Sequence, residues 1–78
     1  LEAYNCPNLE SIDLDGCTRL YNINVYNNPI LKSLDITECR DYGVDLKLYG
    51  CPECESLTLM EDQLSSWSVD DHIEWIYE

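Results

Sequence analysis

Apolar residues recur along this chain as doublets with one residue between them: Leu1/Ala3, Ile12/Leu14, Ile23/Val25, Leu34/Ile36, Leu46/Leu48, Leu57/Leu59 and Trp67/Val69. A spacing of i, i+2 puts both side chains on one face of a strand, so each doublet predicts a short strand with one buried side. Three residues before most doublets stands another apolar residue, namely Leu9, Leu20, Leu31, Cys54 or Leu64. Three residues after most of them stands Cys or Asn: Cys6, Cys17, Asn28, Cys39 and Cys51. Tyr42 takes the leading position in the one half-turn that carries an extra residue, and Asp62 stands where the last unit would have its Cys.

Two such half-turns make one repeat. Tyr4-Asn5-Cys6-Pro7-Asn8-Leu9-Glu10-Ser11-Ile12-Asp13-Leu14 is echoed by the segments beginning at Tyr26 and Tyr49, at offsets of 22 and then 23 residues. Tyr, Pro, Ser and two aliphatic positions agree in all three segments, as Tyr4/Tyr26/Tyr49, Pro7/Pro29/Pro52 and Ser11/Ser33/Ser56 show. A fixed period of this length is the mark of a stacked, quasi-one-dimensional fold. The half-turn formula L-x-x-L-x-L-x-x-C/N resembles the leucine-rich repeat family over residues 1–69, and most of all the short cysteine-containing repeats of bacterial surface proteins. Cys6-Pro7-Asn8-Leu9-Glu10-Ser11 is also similar to repeats in plant immune receptors. The chain departs from that family in carrying the strand signature in both halves, with no helical pattern for the convex side.

The expected fold is therefore mostly β: a flattened, right-handed, leucine-rich-repeat-like solenoid of about three 22–23-residue coils, with short parallel strands on two sides. The doublets point inward and the leading Leu fills a corner. Cys or Asn closes the next corner, where an inward Asn can satisfy backbone groups and an inward Cys acts as a small hydrophobe. Each Pro sits just past that corner, where its fixed φ helps and no ladder donor is lost. Residues 70–78 are expected to cap the last coil; the alternation of Ile73, Trp75 and Tyr77 predicts a strand there rather than a short helix capped by Asp70 or Asp71. The chain opens at Leu1 in mid-pattern, so the expectation is a piece of a larger protein, with more repeats upstream and an N-terminal coil face open to stacking.

Charge changes the functional picture more than it changes the fold. The net charge is −12, with 4 Lys and Arg against 16 Asp and Glu in 78 residues. Nucleic-acid binding needs cations to displace phosphate counterions, and anionic membranes need the same, so neither is an expected partner. No apolar run reaches membrane-spanning length, and no basic stretch followed by an apolar one marks a signal peptide.

The best candidate surface is the row of Tyr4, Tyr26 and Tyr49 beside Glu2, Asn24 and Lys47. An aromatic row with polar neighbours can grip a protein or stack on sugar rings; it can equally be a cross-strand ladder that stiffens the sheet. Cys51-Pro52-Glu53-Cys54 is spaced like a redox pair or half a zinc site. However, Cys51 aligns with Cys6, and Cys54 with Leu9 and Leu31, so both read as structural thiols. Five cysteines are an odd number, which does not suit a disulfide framework; a ladder of reduced thiols is preferred, and a Cys17–Cys39 bond stays open. Stacked Asp13 and Asp35 invite a cation, but no calcium-loop motif accompanies them. The single His72 has no nucleophile or ligand set around it. The expectation is a non-catalytic protein- or carbohydrate-binding scaffold without cofactor or metal, in a secreted or cell-surface protein. The alternatives are a purely structural spacer and, behind it, a thiol redox or metal module at Cys51 and Cys54.

Overall fold

The computed structural model describes residues 1–78 and contains strands and turns with no helix. The strands are β1 (Glu2–Tyr4), β2 (Asn22–Tyr26), β3 (Ser33–Asp35), β4 (Val44–Tyr49), β5 (Ser56–Leu59), β6 (Leu64–Val69) and β7 (Glu74–Tyr77). Sheet A has the order β1-β2-β4-β6 and sheet B the order β3-β5-β7, every neighbouring pair being parallel. From β2 onward the strands alternate between the two sheets, and the chain winds into a β-solenoid of about three turns. No helix is long and apolar enough to cross a membrane.

Register follows the repeat. Tyr4 pairs with Tyr26 and Tyr26 with Tyr49, while Ala3, Val25 and Leu48 align one position earlier. In sheet B, Ser33 aligns with Ser56 and Leu34 with Leu57. Inward residues therefore stack on equivalents from the next coil. Ile23, Val25, Leu31, Leu34, Ile36, Leu46, Leu48, Leu57 and Leu59 are all buried, each contributing about 1.5–3 kcal/mol of burial free energy. The end coils lack a neighbour on one side, so Leu1 and Trp67 stay largely exposed although they occupy inward register positions.

The four corners that lead from sheet A into sheet B share one construction. A residue at positive φ ends the strand in three of them: Asn5, Asn27 and Gly50. Gly50 is constrained twice over, because a Cβ there would lie 2.2 Å from Asn27 Oδ1. A tight turn follows, closed by an N–H three residues on: Leu9 to Cys6 O, Leu31 to Asn28 O, Cys54 to Cys51 O and Ile73 to Asp70 O. Pro7, Pro29 and Pro52 occupy the second position of these turns, where a φ near −65° is already in place. Residues 70–78 build the fourth such corner and then β7, which extends sheet B.

Three local expectations are corrected. The segment around Ile12 and Leu14 turns inward but is not a strand, because a single backbone hydrogen bond, Lys32 N–H to Glu10 O, ties it to the next coil. Tyr42 does not lead its doublet: it is 60% exposed, and Val44 is buried in its place. The extra residue is absorbed before Val44, with a register shift against β6 at Val44/Asp45. Asp62 is not the corner residue of the third unit; it sits at φ 61° on the surface, and Gln63 is the buried one.

Candidate functional site

The outward positions of sheet A form columns that run along the solenoid axis. One is Glu2–Asn24–Lys47–Ser68, and a second is Asn22–Asp45–Ser66. Beside them stands Tyr4–Tyr26–Tyr49. Strand alternation sends all three columns outward, because the residues between them fill the core. The structure thus brings Tyr4, Tyr26, Tyr49, Asn24 and Lys47 onto one surface.

The tyrosine rings are stacked face to face. Tyr4 and Tyr26 have centroids 4.8 Å apart and planes 1° apart; Tyr26 and Tyr49 are 5.0 Å and 7° apart. The strand spacing dictates this distance, and offset stacking satisfies the ring quadrupoles at it. Tyr26 is covered on both faces, so the row offers a ligand mainly its ring edges and hydroxyls. Burial raises the Tyr26 phenol above its ordinary pKa, and its neighbours Tyr4, Tyr49 and Glu2 add to the shift. The Tyr26 phenol is therefore a neutral donor at neutral pH.

On the polar floor next to the row, Ser66 Oγ donates to Asp45 Oδ1 at 2.9 Å. Asn24 is half-buried, and its Oδ1 is a buried side-chain atom without a hydrogen-bond partner. The other border of the sheet holds a cluster that the repeat pattern hid. Arg40 places its guanidinium 5.1 Å from the centre of the Tyr21 ring and 4.2 Å from that of Tyr42. The clue in the sequence was an Arg two residues before a Tyr in the half-turn with the insertion, but only the turn geometry brings Tyr21 from the previous coil against it. Five of the six tyrosines thus border sheet A, and the outward side of sheet B carries Ser33, Asp35, Ser56, Thr58, Glu74 and Ile76 instead.

Cys51 and Cys54 lie elsewhere, in the core. Both are fully buried free thiols. Burial raises the Cys54 thiol to about 11, with Cys51 adding to the shift. Burial also raises Cys51, partly offset by the N–H groups of Asn28 and Asn27. Nucleophilic or metal-binding work needs a thiolate and an approach to it, and both thiols of this pair are buried and shifted toward the protonated form. No group of three or more His, Cys, Asp or Glu side chains comes together to hold a metal ion. Asp13, Asp15, Asp35 and Glu38 gather at the second corner, and the repulsion of Asp13 and then Glu38 raises the Asp15 carboxyl. Comparison with family models, with curated proteins and with solved structures finds no match to this chain.

Proposed function

We propose that the solenoid is a non-catalytic binding scaffold that recognises a partner through the outward side of sheet A, as part of a secreted or cell-surface protein. The resemblance of its half-turns to leucine-rich repeats supports a recognition role, since repeat stacks offer broad, rigid surfaces. The observation that carries the reading is the in-register tyrosine row, stacked at 4.8 and 5.0 Å next to the Glu2–Asn24–Lys47 column. Its rings are held before any partner arrives, so little side-chain entropy is lost on binding. Tyr and Arg are the residue types that dominate protein interfaces. The mutual coverage of the ring faces favours a protein partner over sugar-ring stacking, which needs an open face.

The test is to screen a peptide-display library and a glycan array with the wild-type chain and with Tyr26→Ser/Tyr49→Ser. A ligand found with the wild type should be lost by the double variant while its far-UV circular dichroism stays that of the solenoid. A ligand retained at full strength removes sheet A from the reading. A second reading, in which the row only stiffens the sheet, draws on the same ring coverage; under it the double variant loses thermal stability and no ligand.

A further inference from the structure

We propose that the tyrosine column is an oxidative cross-linking site, at which a peroxidase-class one-electron oxidant joins Tyr26 to Tyr4 or to Tyr49 through a carbon–carbon bond and so staples two coils together. This goes beyond the binding role and does not depend on it. Parallel in-register pairing sets like atom beside like atom, so each hydroxyl and each ring carbon next to it faces its counterpart one coil away. Ring centroids are 4.8 and 5.0 Å apart, and Tyr4 is 41% exposed, which opens the column to an oxidant and leaves its ring room to tilt toward its neighbour. The other tyrosines lack such a mate. Tyr21 and Tyr42 share the guanidinium of Arg40, and Tyr77 neighbours Trp75.

The chemistry balances as a two-electron oxidation. Each of two adjacent phenols loses one electron and its hydroxyl proton, giving two phenoxyl radicals. Their unpaired electrons combine in one bond between ring carbons ortho to oxygen. The hydrogens on those carbons then move to the oxygens and restore both aromatic rings. The chain loses two hydrogens, and hydrogen peroxide takes up the two electrons and two protons as it becomes two waters. Because Tyr4 and Tyr26 lie one full coil apart, the bond closes a coil-sized loop and restricts the unfolded chain. Competing electron donors lie two residues along the chain: the Cys6 and Cys51 thiols donate to the backbone carbonyls of Tyr4 and Tyr49 at 3.2 and 3.4 Å.

The experiment treats the dilute, fully reduced chain with a haem peroxidase and hydrogen peroxide, in parallel with Tyr26→Phe and Tyr21→Phe, all checked for folding by circular dichroism. The wild type should gain dityrosine fluorescence as a monomer, lose two hydrogens by mass, yield a linked peptide joining Tyr26 to Tyr4 or Tyr49, and melt at a higher temperature. Tyr26→Phe keeps the stacked ring without the phenol and should fall to background; Tyr21→Phe should behave as wild type. The proposal is overturned by cross-links found only between chains, by dityrosine that persists in Tyr26→Phe, or by oxidation that ends at sulfur or indole without dityrosine.

Discussion

At the corner entering sheet B the coil turns over Cys6, Asn28, Cys51 and Asp70; at the corner entering sheet A it turns over Cys17, Cys39 and Gln63. Both corners must satisfy backbone groups that leave the ladders as the chain bends. The first does so with a column of acceptors, each serving the coil before it. Cys6 N–H donates to Asn28 Oδ1 at 3.0 Å and Cys51 N–H to Asp70 Oδ2 at 3.0 Å, and the N–H of Asn28 approaches the Cys51 thiol between them. Asn28 also returns a bond, Nδ2 to Ala3 O at 2.8 Å. At the second corner Cys17 and Cys39 contribute volume and little polarity; Glu38 accepts from Gly16 N–H at the surface, and Gln63 is the one buried side chain that ties coils together there. Its Nε2 donates to Ile36 O at 2.7 Å and Arg40 O at 3.1 Å, and its Oε1 accepts from Met60 N–H at 2.8 Å. A repeat can thus hold one shape while spreading its polar ties over every coil or concentrating them in one.

If that contrast is right, the largest effect belongs to Gln63. Gln63→Met keeps the length of the side chain and leaves Met60 N–H, Ile36 O and Arg40 O without their partner in a buried corner. The expected loss is about 3–5 kcal/mol, since each unpaired buried group costs about 1–3 kcal/mol. That is much of the stability of a small domain, and urea unfolding read by tryptophan fluorescence should show it directly, as Trp67 and Trp75 pack against each other in the same coil. A loss below that of any buried Cys→Ala change would mean that the second corner does not depend on Gln63. Next comes Asn28→Leu, which strands Cys6 N–H and Ala3 O at the outer coil. Its expected cost is about 2–3 kcal/mol, smaller because that coil reaches water more easily to replace the bonds.

Gln63 also marks where the sequence stopped being readable. Doublet spacing and the Tyr-Pro-Ser repeat were enough for two parallel sheets, the inward residues and the tyrosine column, because stacking forces equivalent residues into contact. For the corner at Met60–Gln63 the pattern points to Asp62, since it marks corners by small residues such as Cys and Asn. A long amide folding back into the core breaks the spacing rule while doing the same job. Tyr42 departs from the pattern for a related reason: an inserted residue shifts register by one, and only the turn geometry tells which neighbour goes outward. The Arg40 cluster was illegible because it joins residues from different coils at the single irregular corner. The stacking of the tyrosine rings on each other, which decides what they offer a ligand, also needed coordinates.

Each corner region holds one strongly shifted thiol, which gives a third and smaller test. Burial raises Cys39 to about 11, with Cys17 adding to the shift, and Cys54 is likewise raised to about 11. A folded pKa above the unfolded value of 9.0 means stability that is whole below pH 9 and is lost as pH rises through about 11. Chemical unfolding at pH 8 and pH 11 should differ by on the order of 2 kcal/mol for each thiol. Cys54→Ala should flatten part of that slope, at the cost of a small cavity. Equal alkaline slopes in wild type and variant would mean that the Cys54 thiol is hydrated in the folded chain. Alkylation at neutral pH should follow the same division, with half-buried Cys6 and Cys17 reacting ahead of buried Cys39, Cys51 and Cys54.

The smallest effect separates the corners by charge. At the second corner Asp15 meets Asp13, Glu38 and Asp35 with no cation among them, and its pKa is raised. The sheet B entry instead pairs Lys32 with Glu53. A carboxyl whose folded pKa is raised favours folding when protonated, so the Asp15 contribution is present below its unfolded value and disappears as pH climbs through the folded one. At neutral pH the charge is therefore a liability, and Asp15→Asn should raise the melting temperature slightly. The gain should shrink as pH falls into the range just above ordinary carboxylate values, and it should shrink with added salt, because the carboxylates are at the surface and screened. Lys32→Gln is the counterpart: it should lower the melting temperature a little at low salt and not at all at high salt. If Asp15→Asn destabilises the chain at neutral pH, then the Gly16 N–H to Glu38 bond and the turn it belongs to need the Asp15 carboxylate more than they suffer from it.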